Sequence, residues 1–121
     1  MERRAFEQLV AEALDAIPAE FARYLENVAV VVEDEPTAGL LRSLGLDPRR
    51  DTLFGLYQGV PLSGRPHDFV GLPDRITIFA GPLLREVPTP AELRRQVQVT
   101  IVHEIAHFFG LDEHRIRRLG Y

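Results

Sequence analysis

The sequence predicts an α+β domain with a small sheet. Three observations carry that expectation: an amphipathic stripe near the start, three short β-prone runs set apart by turn residues, and a capped apolar helix of about twenty residues near the end. In the first stretch Phe6, Leu9, Val10, Ala13, Leu14 and Ile17 recur at helical spacing on an otherwise charged surface. Pro18 has no N–H with which to continue that helix, so a shorter one restarts over residues 20–25. After Asn27 the run Val28-Ala29-Val30-Val31-Val32 is mostly β-branched and ends at Glu33-Asp34-Glu35-Pro36, which reads as a buried strand closed by a solvated acidic turn.

Residues 37–44 read as a short helix stopped by Gly45, with a turn at Leu46-Asp47-Pro48. Residues 52–57 form a second, weaker strand candidate in which Gly55 and Gly59 mark bulges or a close backbone approach. The Pro- and Gly-rich residues 61–73 read as an irregular loop. Residues 75–80 alternate around Ile76, Ile78 and Phe79 and read as a third strand. Were that strand at a sheet edge along the cleft, it could bind an extended peptide by strand addition.

The long helix is the best-marked element. Thr89-Pro90-Ala91-Glu92 combines a capping box with proline at the first helical position, and Gly110 supplies a stop, so a helix should run from residue 90 to about 109. A last short helix should cover residues 113–119. On the long helix Leu93, Val97, Ile101, Ile105 and Phe109 make one apolar row, with Val99, Val102 and Ala106 beside it. Phe108 and Phe109 are read as core. One polar stripe crosses this apolar helix: Gln96, Thr100, His103 and His107. Such a stripe needs a polar cleft or a bound ion opposite it, because unpaired polar groups are costly to desolvate.

His103 and His107 stand one turn apart, so two imidazoles can converge on one ion. Glu104 follows the first histidine and projects along the same edge, within reach of a water beside that ion, whose proton it would take as general base. With four histidines and eleven glutamates in the chain, this His-Glu-x-x-His spacing arises by chance in about 1% of such sequences, before a helix is required of it. The chain has no cysteine, so any zinc must be held by imidazole and carboxylate.

A catalytic zinc site takes three protein ligands and leaves a position open. A glutamate far downstream has little room, since only the residues 108–121 follow His107. Gly110 falls where the extended pattern His-Glu-x-x-His-x-x-Gly-x-x-His needs a turn, but the final histidine of that pattern is Glu113 here. Spacing favours Glu113 as third ligand, the usual preference for imidazole favours His114, and Asp112 is the remaining alternative. His67, with Asp68 in the 61–73 loop, is an outside candidate. The methionine turn of metzincins is absent, because Met1 is the only methionine. Tyr57, in the Gly-rich second strand, is a candidate to polarise a substrate carbonyl, though packing is the simpler role for it.

Length and charge bound the rest. At 121 residues the chain fits one domain, residues 1–121. The start is charged and amphipathic, unlike a secretory leader, and no apolar run is long enough to span a membrane, so a cytoplasmic protein is expected. A net charge of −4 gives no basic face for nucleic acid. Arg115, Arg117 and Arg118 read as a solvated helix end favoured by the helix dipole.

Taken together, Leu25-Glu26-Asn27-Val28 through Glu33-Asp34-Glu35-Pro36, the run Leu53-Phe54-Gly55-Leu56-Tyr57-Gln58-Gly59-Val60-Pro61, and His103-Glu104-Ile105-Ala106-His107-Phe108-Phe109-Gly110 resemble the minimal zincin-like metallopeptidases of bacteria. The resemblance spans almost the whole chain. It implies a compact α+β zincin fold in which a small mixed sheet packs on helices around the active-site helix, with Zn2+ as cofactor. Family members usually carry aspartate at the third-ligand position, where this chain has Glu113. Two functions follow for comparison. One is a zinc metallopeptidase acting on peptides or small unstructured proteins, with Glu104 as base and His103 and His107 as ligands. The other is a zinc-binding structural or regulatory domain with little proteolytic activity, for which His103→Ala should lower stability strongly and Glu104→Gln should not.

Overall fold

A computed structural model describes residues 1–59 and 73–121. The expected irregular loop, with His67 and Asp68, falls outside the described residues apart from Pro73. The architecture is α+β. In chain order the elements are α1 (Arg3–Asp15), α2 (Ala19–Ala22) leading into a 3₁₀ turn (Arg23–Leu25), β1 (Val28–Glu33), α3 (Ala38–Ser43), β2 (Gly55–Gln58), β3 (Asp74–Phe79), α4 (Ala80–Glu86), α5 (Pro90–Phe109) and α6 (Glu113–Arg118).

The strands form a mixed sheet in the order β1-β3-β2. β1 runs parallel to β3 with Val30 beside Ile76, and β2 runs antiparallel with Tyr57 beside Ile76. β3 is therefore the central strand, and the strand-addition reading of residues 75–80 is overturned. Both of its ladders are occupied, and Ile76, Thr77, Ile78 and Phe79 are all buried, as expected of a strand covered on both faces. β2 is the strand that meets the long helix at the edge of the sheet, with no second strand partner among the described residues.

α5 sits between α1 and the sheet, in contact with α1, β2 and β3. Phe6, Leu9, Val10 and Ala13 of α1 join Leu93, Val97, Ile101 and Ile105 of α5 in one core with Ile76 and Ile78. The start of α5 follows its sequence signals: Thr89 Oγ1 accepts from Glu92 N at 3.2 Å and donates to the Glu92 carboxylate at 3.0 Å. Two expectations need correction. Phe108 and Phe109 are not core but 48% and 42% exposed; the buried row ends at Ile105, and the last turn of α5 runs past the core. There Phe108 stacks on Tyr57 at 4.0 Å and Phe109 leans on Tyr24 at 4.9 Å. The second is an omission: α4 has no place in the sequence reading, because Gly81-Pro82 looks like punctuation. Pro82 lies in the first turn, where its missing N–H has no helical partner to lose. No helix among the described residues is long and apolar enough to cross a membrane.

Candidate metal centre

With the apolar row of α5 packed in the core, His103, Glu104 and His107 fall outside that row near the C-terminal end of the helix. His103 is partly buried, while the His107 side chain is 63% exposed. Gly110 ends the helix in the left-handed conformation at φ 68°, and Leu111 N–H returns to Ala106 O at 2.9 Å. Two residues later Asp112 caps α6, its carboxylate accepting from the N–H groups of His114 at 2.9 Å and Arg115 at 3.4 Å. This tight reversal sets Glu113, the first residue of α6, against both imidazoles. Glu113 Oε2 lies 3.6 Å from His103 Nδ1, and Glu113 Oε1 makes an ion-pair contact with His107 Nε2.

The nearby groups constrain that cluster. His103 Nε2 lies 2.9 Å from the main-chain oxygen of Tyr121. A main-chain oxygen can only accept, so Nε2 carries the proton and a neutral His103 presents its lone pair at Nδ1. That lone pair then faces a carboxylate oxygen, an arrangement favourable only with a proton or cation between them. Glu113 Oε1 is also buried, with no hydrogen bond beyond its close contact with His107 Nε2. Among the described residues no three His, Asp or Glu side chains already surround a common point at ligand distances; the groups meet in direct contacts instead. The donor set itself, two imidazoles and a carboxylate, is of the kind that holds zinc. Arg117 Nη2, 3.4 Å from Glu113 Oε2, competes for one oxygen from the solvent side.

Glu104 is held from the sheet. The bond from Phe79 N–H to Phe54 O fixes the β2–β3 ladder so that Tyr57 turns its N–H to the open edge of β2. There it donates to Glu104 Oε1 at 2.9 Å, leaving Oε2 facing His107 Nδ1 at 3.6 Å. Close approach of β2 to α5 makes this contact possible, and Gly55 permits the approach: a Cβ there would meet Thr100 Cγ2 at 2.8 Å and Thr77 O at 3.1 Å. The Tyr57 hydroxyl is engaged elsewhere, donating to Asp74 Oδ2 at 2.8 Å. Burial, reinforced by that hydrogen bond and by the Asp74 charge, pushes its phenol well above the ordinary 10.0.

Of the three candidates for third ligand, Glu113 is the one brought against His103 and His107. The Asp112 carboxylate is occupied by the α6 cap, and its main-chain donors, Arg115 first and then His114, hold it below the usual carboxylate range. His114 is exposed. Two contacts escaped sequence reasoning, the Tyr57 N–H and the Tyr121 oxygen. Both are main-chain groups, which no residue type announces.

The profile of zincin-like metallopeptidases matches residues 25–121, and the chain belongs to that family. Zinc dependence is the general expectation for it. Among solved structures the chain is similar to a conserved hypothetical protein from Thermus thermophilus, at 25% identity and a TM-score of 0.55, covering 90% of this chain and 94% of that one. No curated protein matches the sequence.

Proposed function

We propose that the protein is a zinc-dependent peptidase acting on peptides or small unstructured proteins, with His103, His107 and Glu113 holding the metal and Glu104 as general base. The observation that carries this reading is the split environment of Glu104: Tyr57 N–H fixes one oxygen and the other faces the histidine cluster. Zinc, when bound, supplies the Lewis acidity that polarises a scissile carbonyl and makes a water acidic near neutral pH. The chain's own groups do the rest. Glu104 Oε2 is the oxygen free to take a proton from a water at the cluster and to deliver it to the leaving amine, while the Tyr57 N–H stops the carboxylate from rotating away. Among the described residues β2 has no second strand partner, so its outer edge beside Glu104 offers a line along which an extended backbone can lie. Exposed Phe108 and Phe109 supply apolar surface at the same end of α5.

The test is cleavage of a broad quenched-fluorescent peptide library by zinc-loaded protein. Glu104→Gln keeps the shape of the side chain and the Tyr57 contact but removes the base, so cleavage should fall by about 10²–10⁴-fold with unchanged zinc uptake. A Glu104→Gln protein that cleaves as fast as the wild type would refute the assignment.

A further inference from the structure

We infer that a cleft beside the last turn of α5 is the subsite for one basic side chain, lysine or arginine, of an extended peptide lying along β2. The inference deepens the peptidase reading proposed above and rests on it. The cleft has a volume of about 250 Å³ and forms where the 3₁₀ turn and the starts of β1 and β3 meet β2 and the last turn of α5. That volume is below the roughly 300–1,000 Å³ of sites that enclose a whole small ligand, and it suits a single long side chain. Tyr57 ties the cleft to the site: its main-chain N–H holds Glu104 Oε1 at 2.9 Å while the same residue lines the cleft.

The walls select a long apolar stem with a positive end. Tyr24 and Phe109 pack with ring centroids 4.9 Å apart, and Tyr57 meets Phe109 edge-on at 5.8 Å. Aromatic faces attract cations as well as methylenes. Charge narrows the choice further. Glu26 and Asp74 line the same cleft, Asp74 at the start of β3 beside Val28 of β1. Among the described residues the positive group lining it is Arg23, which is folded onto the wall. Its Nη2 donates to the Tyr24 hydroxyl at 3.2 Å, and its guanidinium carbon lies 5.0 Å from the centre of that ring. The aromatic wall therefore accommodates a guanidinium, and the lining still holds two carboxylates against one cation. An acidic side chain would meet both carboxylates, and a plain aliphatic one would strip water from them without supplying a counter-charge. A lysine or arginine lays its methylenes over Tyr24 and Phe109 and carries its charge to Glu26 and Asp74.

The experiment uses matched quenched-fluorescent peptides with lysine, norleucine or glutamate at each position flanking the scissile bond, cleaved by zinc-loaded protein. Norleucine keeps the length of lysine and removes its charge. At one fixed position lysine should exceed norleucine in kcat/KM by about 2–30-fold, with glutamate lowest. Glu26→Gln and Tyr24→Leu should each shrink the lysine-to-norleucine ratio, and Glu26→Lys should favour glutamate over lysine. A second readout needs no cleavage: ¹H–¹⁵N spectra of the Glu104→Gln protein are titrated with a short lysine peptide and with its norleucine counterpart. The amides of Tyr24, Asn27 and Phe109 should saturate at a lower concentration of the lysine peptide. If no peptide is cleaved, the peptidase reading falls, and equal saturation by the two peptides would then overturn the cleft as well. If peptides are cleaved with no preference for lysine at any position, the peptidase reading stands and this inference alone is overturned.

Discussion

Gly55→Ala is the sharpest perturbation of the seam between the sheet and the long helix. The added methyl would lie 2.8 Å from Thr100 Cγ2, 3.1 Å from Thr77 O and 3.3 Å from Ile78 Cδ1, where ordinary contact begins at 3.4 Å. The Thr77 oxygen belongs to the central strand and cannot rotate away. Thr100 is β-branched on a helix, and its hydroxyl accepts from Gln96 Nε2 at 3.3 Å, so its χ1 has little freedom. β2 must therefore lift off α5. Overpacking of this kind costs about 1–3 kcal/mol, against ~0.4–1 kcal/mol returned by a stiffer unfolded chain. The net loss of about 1–2 kcal/mol should lower Tm by roughly 3–10 °C for a domain of this size. Thermal unfolding followed by circular dichroism reads that shift. Exchange of the Tyr57 amide, whose bond to Glu104 spans the same seam, should quicken. Thr100→Ser removes Cγ2 and keeps the hydroxyl, so Gly55→Ala should cost at least ~0.5 kcal/mol less in that background. An unchanged Tm, or an equal cost in both backgrounds, would refute the close-approach argument.

Other outcomes test the ligand set and the buried phenol. Glu113→Gln should weaken zinc binding by at least the ~10–100-fold that loss of an outer partner costs. His114→Ala and Asp112→Asn, the latter keeping the cap acceptor, should leave chelator competition unchanged; the reverse pattern would move the ligand to His114. Tyr57 holds its proton more tightly folded than unfolded, so its contribution to stability is complete below about pH 10 and is lost as pH rises beyond it. The chain has three tyrosines, no tryptophan and no lysine, so near-ultraviolet tyrosinate absorbance should show one tyrosine ionising late, together with alkaline unfolding. Tyr57→Phe should abolish that late step and flatten the alkaline loss of stability; a normal titration of all three tyrosines would refute the burial argument. By contrast Gly59→Ala should stay within ~0.5 kcal/mol of wild type, because the atoms it meets are the tip of the exposed Phe108 ring.

Much of the fold was legible where local signals and burial agree. The Thr89 cap, the Gly110 stop and the Leu93–Val97–Ile101–Ile105 row place α5, and the valine run places β1, because each states its own period and its own boundary. Strand order was not legible, since alternation around Ile76 and Ile78 says which face is buried but not how many neighbours a strand has. Phe109 fits the apolar row by periodicity, yet the core ends before it, and periodicity cannot say where a helix outruns its partners. At the site, the motif pointed to His103, Glu104 and His107, while spacing favoured Glu113 and the usual preference for imidazole favoured His114 as the third member. The Asp112 cap starts α6 at Glu113, which brings that carboxylate, rather than His114, against both imidazoles. The contacts from Tyr57 and Tyr121 depend on tertiary position and carry no signal in side-chain chemistry.

The contacts of the site divide sharply by the length of chain each must close. His103, His107, Glu113 and Tyr121 all lie within a span of 18 residues, a helix–turn–helix whose closure costs little conformational entropy. The bond between Tyr57 and Glu104 spans 47 residues and exists only once β2 is docked. The histidine–carboxylate cluster therefore has low contact order and belongs to a unit able to assemble early, whereas the anchoring of Glu104 waits on the slower, non-local pairing of the sheet. Under the proposed roles, fluctuations that detach β2 would leave the cluster intact and release Glu104, so that metal retention and proton transfer would be separable in the same molecule.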